Sequence, residues 1–246
     1  MTAPAAWGAA PATLALAGAQ VHVWSIRLVQ PPDVVAALGA TLVPDERTRA
    51  ARFYFERDRR SFTVVRGALR TLLGRYLGRP PGTLELGYGA KGKPFLAAPA
   101  GDSLEFNVSH SGEFALLAFT RGRAIGVDVE LRRTLDDLLS LADTSFSPFE
   151  NAMLRALPAE RHTEAFFACW SRKEAFIKAT GEGISQLAEF DVSLSPGEPA
   201  RLLRVRGAAA AGTWSMHELP ALPGHAAALV VADRTAEIAC FTWPPA

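Results

Sequence analysis

The stretch Trp170-Ser171-Arg172-Lys173-Glu174-Ala175-Phe176-Ile177-Lys178 limits the possible folds more than any other part of the chain. Upstream, Pro158 suits a first helical turn, where its missing N–H costs little. Downstream, Gly181 and Gly183 supply a helix stop. Between them Phe166, Phe167, Trp170 and Ile177 recur at helical spacing, so one stripe of this helix is buried. Trp170, Glu174 and Lys178 lie four residues apart and project from nearly the same side. A carboxylate and an ammonium one turn apart, beside a large aromatic, suit the grip of a phosphate-bound metal. They also suit an ordinary surface ion pair, which contributes only about 0.3–0.5 kcal/mol. The helix alone leaves both readings open.

The chain has 246 residues, which allows one large domain or two small ones with a substantial core. It is 49% hydrophobic and 21% charged, the balance of a soluble globular protein. A formal net charge of +1 predicts neither a nucleic-acid nor a membrane partner. Two cysteines make no disulfide framework and no metal knuckle. Cys169 sits among aromatics and reads as core, and a reducing cytoplasm fits. Residues 1–20 are rich in Ala, Pro and Gly, with no charged side chain. The apolar run Leu14-Ala15-Leu16-Ala17 is too short for a secretory signal and has no basic start. A disordered extension is expected there. No apolar stretch is long enough to span a bilayer.

Val21–Leu28 alternates as a strand, Pro31-Pro32 breaks it, and a short helix is expected over Asp33–Leu38. Pro44-Asp45-Glu46 opens a helix with acidic groups at its positive end. Arginines 47, 49, 52, 57, 59, 60, 66 and 70 follow, interleaved with aromatics. Phe62, Val65, Leu69, Leu72, Leu73 and Tyr76 form a helical stripe, so most of these arginines belong to the wet face. One or two of them suit a small phosphorylated ligand better than a nucleic acid. A brief strand is expected at Leu84-Glu85-Leu86. Further strands are expected at Phe190–Leu194, Thr213–His217, Ala226–Ala232 and Glu237–Thr242. Helices and antiparallel-type strands thus occur in similar amounts in both halves, an α+β chain in which no residue-level repeat is visible.

Three further segments carry candidate chemistry. Lys91-Gly92-Lys93-Pro94 sets two ammonium groups around a glycine, which suits an anion and equally suits an exposed basic turn. Asn107-Val108-Ser109-His110-Ser111 ends one strand. Ser109 and His110 are adjacent on a strand and face opposite ways, so they cannot pair as nucleophile and base, and no Gly-x-Ser-x-Gly elbow is present. They read as donors to a phosphate or as a structural loop. In Ile125-Gly126-Val127-Asp128-Val129-Glu130 the acids share one strand face about 7 Å apart and repel unless something cationic lies between them. With Glu174 alongside, they make a hard-oxygen set of the kind that holds Mg²⁺ together with phosphates.

Taken in order, Arg52-Phe53-Tyr54, Lys91-Gly92-Lys93-Pro94, Asn107–Ser111, Gly126-Val127-Asp128-Val129-Glu130, Trp170-x-x-Lys173-Glu174-Ala175 and Phe176-x-Lys178-x-x-Gly181-x-Gly183 resemble the 4′-phosphopantetheinyl transferases. The likeness is to the long, monomeric type that serves peptide and polyketide synthetases, and it covers roughly Ala40 to Leu194. The resemblance implies transfer of the phosphopantetheine arm of coenzyme A to a serine of an apo carrier protein, with release of adenosine 3′,5′-bisphosphate. It implies two similar α+β halves about a pseudo-twofold axis, residues 21–122 and 123–246, joined near Arg121–Ala124, with the active site between them. A monomer is expected, because the short type of the family is about half as long and builds its cleft from separate subunits. By the same likeness Asp128, Glu130 and Glu174 are the Mg²⁺ ligands, and Lys178 neutralises a phosphate oxygen. Arg49, Lys91, Lys93, Ser109 and His110 contact the nucleotide end, including its 3′-phosphate. Glu174 is base, ligand or both, and the carrier docks near Leu138–Phe149. Competing readings are another Mg²⁺-dependent enzyme of phosphorylated nucleotides without a protein acceptor, and a non-catalytic carrier-binding protein.

Overall fold

Apolar residues that alternate along strands and recur every third or fourth position along helices build two covered sheets from this chain. The computed structural model describes residues 6–89, 92–97, 103–206 and 212–244, the side chains at 184–186 excepted. The chain runs through β1 (Gln20–Arg27), α1 (Pro32–Ala40), α2 (Pro44–Ala51), α3 (Glu56–Leu77), β2 (Leu86–Tyr88), β3 (Pro94–Leu96), β4 (Leu104–Ser111) and β5 (Phe114–Arg121). The same series then recurs as β6 (Ile125–Leu131), α4 (Leu138–Ser145), α5 (Pro148–Ala156), α6 (His162–Thr180), β7 (Phe190–Val192), β8 (Leu202–Val205), β9 (Ser215–Glu218) and β10 (His225–Val231). Pairing repeats as well. β5 lies antiparallel between β1 and β4, as β10 does between β6 and β9, and β2–β3 and β7–β8 form small ribbons. The chain is α+β, and it repeats element by element where no repeat was visible residue by residue.

One strand departs from a division at residue 122. β11 (Glu237–Thr242) pairs parallel with β1 in the first half's sheet, Val23 opposite Cys240. Without it β1 would present an unpaired edge. The N-terminal stretch departs from expectation too. Over residues 6–19 it is not a loose extension, because Leu14 and Leu16 are buried in the core beside α3. Gly8 N donates to the Cys240 carbonyl and Trp7 Nε1 to that of Pro220. Leu14 and Leu16 of the apolar run face the core, while Ala15 and Ala17 between and after them are exposed.

The layers are helix, sheet, sheet, helix. α3 covers the first sheet through Val64, Ala68, Leu69 and Leu72 against Trp24, Ile26, Leu117 and Phe119. α6 covers the second through Phe166, Phe176 and Ala179 against Ala228 and Val230. Between the sheets Val21, Val23, Leu116 and Ala118 meet Ile125, Val127, Val129 and Leu229. Each such large aliphatic side chain contributes about 1.5–3 kcal/mol on burial. α6 begins one 3₁₀ turn after Pro158, at His162, and ends on Gly181 at φ +75°. The brief strand expected at Leu84 starts two residues later, because the Leu84 carbonyl accepts from Arg70 instead of from a ladder.

Each half also buries one ion pair at a corresponding place. α2 and α5 both start on proline with glutamate at the third position. Glu46 accepts from its own N-cap amide and from Arg70 Nε of α3, at 3.2 and 2.5 Å. Glu150 accepts from its N-cap amide at 2.8 Å and from Lys173 Nζ of α6 at 2.7 and 2.8 Å. Arg70 also reaches the Pro81 and Leu84 carbonyls, and Lys173 that of Phe190. The charges are buried and hydrogen-bonded on both sides. Arg66 and Arg70 are therefore interior residues, whereas Arg47, Arg49, Arg52, Arg57, Arg59 and Arg60 lie on the wet face. Among the described residues no helix is long and apolar enough to cross a membrane.

Candidate active site

Strand period two turns Ile125, Val127 and Val129 of β6 into the central core and leaves Gly126, Asp128 and Glu130 toward α6. A Cβ at Gly126 would lie 2.0 Å from the Ala175 carbonyl oxygen and 2.4 Å from the Ala179 nitrogen. The strand and the helix backbone meet there as only glycine permits. That approach sets Lys178 over Asp128. Lys178 Nζ donates to Asp128 Oδ1 at 2.6 Å and to Ser109 Oγ at 2.9 Å, and Ser109 Oγ donates to the same Oδ1 at 2.7 Å. Asp128 Oδ2 is buried with no hydrogen-bond partner.

Burial pushes the Asp128 carboxyl up to about 6, against the pull of the Lys178 ammonium and with a push from Glu130. The Glu174 carboxyl is also raised, first by desolvation, opposed by Lys178 and reinforced by Glu130. Asp128 and Glu174 thus feel the same two neighbours. Lys178 and Glu130 act on both carboxyls, one on the strand and one on the helix. Among the described residues no three acidic, histidine or cysteine side chains already close into a metal cluster. Lys178 supplies the local positive charge. Trp170, half-buried one turn before Glu174, stacks on Phe166.

β4 lines the open edge of β6 with side chains. Asn107 Oδ1, Ser109 Oγ and Ser111 Oγ accept from the backbone N–H of Val127, Val129 and Leu131 at 2.9, 3.4 and 3.1 Å. Ser111 Oγ donates to Glu130 Oε2 at 2.9 Å.

A second cluster lies along α3. Arg49, Phe62, Arg66, Tyr88, Gly92 and His110 line a cleft. The Arg66 guanidinium stands over the Phe62 and Tyr88 rings at 5.8 and 5.7 Å, and that of Arg49 over Phe62 at 5.5 Å. Arg66 Nη1 is buried with no partner, its closest carboxylate being Glu46 at 3.6 Å from Nε. His110 connects this cleft to the acids: desolvation and then the Lys178 charge lower its imidazole, while Glu130 raises it.

The predicted nucleotide contacts divide. Ser109 bonds Asp128 and Lys178, whereas Arg49 and His110 line the α3 cleft. Lys93 does not present a free ammonium. Its Nζ donates to the carbonyls of Ile125 at 3.1 Å and Lys178 at 2.7 Å, so it fastens the β2–β3 ribbon to β6 and to the end of α6. Desolvation lowers the Lys93 ammonium, and Glu105 raises it. Lys91 lies outside the described residues. Sequence reasoning passed over Arg66 as one of many surface arginines. The available signal was its place beside Val65 and Leu69 on the apolar stripe. It also took Lys173 as part of a motif without its role, which is the buried pair with Glu150.

The sequence model of the 4'-phosphopantetheinyl transferase superfamily matches residues 124–230, and that of the N-terminal region of 4'-phosphopantetheinyl transferase matches residues 31–121. The 4'-phosphopantetheinyl transferase HetI of Nostoc sp. is 43% identical over 240 residues, 97% of this chain and 96% of its own. A 4'-phosphopantetheinyl transferase of Bacillus subtilis is 32% identical over 63% of this chain and 67% of its own. Among solved structures, an ACPS–CoA complex from Chronobacterium ammoniagenes is similar at TM-score 0.35 and 23% identity, over 44% of this chain and 95% of its own.

Proposed function

Because the chain belongs to the 4'-phosphopantetheinyl transferase superfamily, we propose that the cleft between β6 and α6 is where it moves the phosphopantetheine arm of coenzyme A onto a serine of an apo acyl or peptidyl carrier protein. One observation supports this reading above the others. Among the described residues four buried side-chain polar atoms lack partners, and two of them, of opposite kind, lie here: Asp128 Oδ2 among the acids and Arg66 Nη1 in the α3 cleft, Asp191 Oδ1 and Trp243 Nε1 lying elsewhere. The first suits a cation and the second an anion, as a metal-bound diphosphate with a further phosphate requires.

Asp128, Glu130 and Glu174 suit Mg²⁺ as an all-oxygen set, with Asp128 Oδ2 the unused acceptor. When bound, Mg²⁺ supplies charge stabilisation at the diphosphate. Lys178, with its side chain 27% exposed, exchanges the Asp128 carboxylate for a phosphate oxygen. Glu174, its carboxyl held above the ordinary range by desolvation, accepts the proton of the attacking serine hydroxyl, with a secondary role at the metal. Arg66 and Arg49 grip the nucleotide end, with Tyr88 and His110 along the same wall. The serine oxygen attacks the β-phosphorus, the bond to the bridging oxygen breaks, and adenosine 3′,5′-bisphosphate leaves. Leu139, Leu141 and Phe149, exposed on α4 and α5, give the carrier an apolar landing. The protein acts as a monomer in the cytoplasm, each chain supplying both halves of its cleft.

Intact-mass measurement of an apo carrier protein after incubation with coenzyme A, Mg²⁺ and the enzyme tests this. A gain of one phosphopantetheine group on serine is expected. Turnover of coenzyme A without protein labelling would point to a nucleotide enzyme, and binding without turnover to a carrier-binding protein.

A further inference from the structure

The geometry points to Ser111 as a positioning residue for the metal carboxylate Glu130, an inference that rests on the Mg²⁺ reading above. A serine hydroxyl has one hydrogen to donate and lone pairs to accept with. At Ser111 the hydrogen goes to Glu130 Oε2 at 2.9 Å, and a lone pair takes the Leu131 N–H at 3.1 Å. The hydroxyl is thus tied to the backbone of the residue next to the carboxylate it holds. It fixes one oxygen of Glu130 and leaves Oε1 for an ion.

Ser111 is itself held in place. Its carbonyl lies 3.1 Å from His225 Nε2, and His225 pairs across β10 with Leu131 of β6. The following residue, Gly112, has φ +57°, and a Cβ there would come within 2.8 Å of the same imidazole nitrogen. The hairpin between β4 and β5 is therefore seated against the second half at the point where Ser111 reaches over to Glu130. Ser109 plays the matching part for Asp128, but its hydroxyl also accepts from Lys178. Among the described residues Ser111 bonds no site group other than Glu130, so its contribution can be read alone. Partners of this kind, one shell out from an ion, typically change metal affinity by about 10–100-fold.

Titration of Mn²⁺ by electron paramagnetic resonance, with coenzyme A present and no carrier, reads this without turnover. Ser111→Ala is expected to weaken Mn²⁺ binding about tenfold, a loss that added metal makes good. Ser111→Thr, which keeps the hydroxyl, is expected to stay within about threefold of the parent. In a Glu130→Gln background Ser111→Ala should change the affinity no further, because the serine acts through that carboxylate. An unchanged affinity in Ser111→Ala, or a full second loss in the Glu130→Gln background, would overturn the role of Ser111 alone. Failure of the parent enzyme to bind Mn²⁺ would overturn the three-carboxylate reading as well. A thermal melt of each variant separates loss of the ion from loss of the fold.

Discussion

The first strand of each half runs beneath the long helix of that half, and the two strands present opposite surfaces to it. On β1 the helix-facing residues include His22, Trp24 and Ile26; on β6 they are Gly126, Asp128 and Glu130. The first set fills its space. Trp24 and Ile26 are fully buried, and Trp24 Nε1 and His22 Nδ1 both meet the Tyr76 hydroxyl, at 3.0 and 2.8 Å. The second set leaves a glycine, a buried carboxylate with an unused oxygen, and a second acid beside it. One scaffold, repeated, thus makes a core in one half and a polar cleft in the other, by what stands at alternate positions of a single strand. Local rules of good packing are broken in the half to which we assign the chemistry.

The largest expected effect breaks that contrast outright. Asp128→Ala should lower carrier labelling at least about a thousandfold, about 4 kcal/mol of transition-state stabilisation, while the fold survives because a desolvated carboxylate is removed. Ile26→Ala, at the filled strand, should do the reverse: a stability loss of about 2–4 kcal/mol with labelling per folded molecule retained. Rate assays beside urea melts decide it, and a fully active Asp128→Ala would sink the site. Next come the two buried ion pairs. Lys173→Met and Arg70→Met should each cost about 3–4 kcal/mol in urea unfolding, since each strands a buried glutamate. A loss confined to one half would show that the correspondence is one of shape and not of energetics.

The smallest effect belongs to His22. Burial holds its imidazole down at about 4, below the value of a free histidine. Between those two values the unfolded chain carries a proton that the folded one does not, so stability rises with pH across the window. It is lost as pH falls from about 6.5 toward 4. About 2 kcal/mol should go between pH 7 and pH 5, and His22→Phe should remove that part of the slope. Urea midpoints at the two pH values, parent against variant, measure it.

That Asp128 and Glu130 share a strand face, and Glu174 and Lys178 a helix face, was legible from strand period two and helix spacing of four, whereas the meeting of β6 with α6 came only with the resemblance. How closely the two elements approach over Gly126 was not read from the sequence. Lys93 was not legible. Its partners are carbonyls, which carry no sequence signature, and one of them lies 85 residues away. Arg66 was hidden for a different reason. Its aliphatic stem packs on the apolar face, so the stripe reads past it while its head points into the cleft. The addition of β11 to β1 and the seating of Leu14 and Leu16 were out of reach too, because short apolar runs do not say which surface will cover them.

The parallel pairing of β11 with β1 bears on how the molecule is made. A nascent chain leaves the ribosome with its first sheet already spelled out, yet the strand that closes that sheet's border emerges only after the whole second half has been translated. Until then β1 keeps one side exposed to whatever else the cell offers, and the opening half waits, incomplete, for a strand made after the other half.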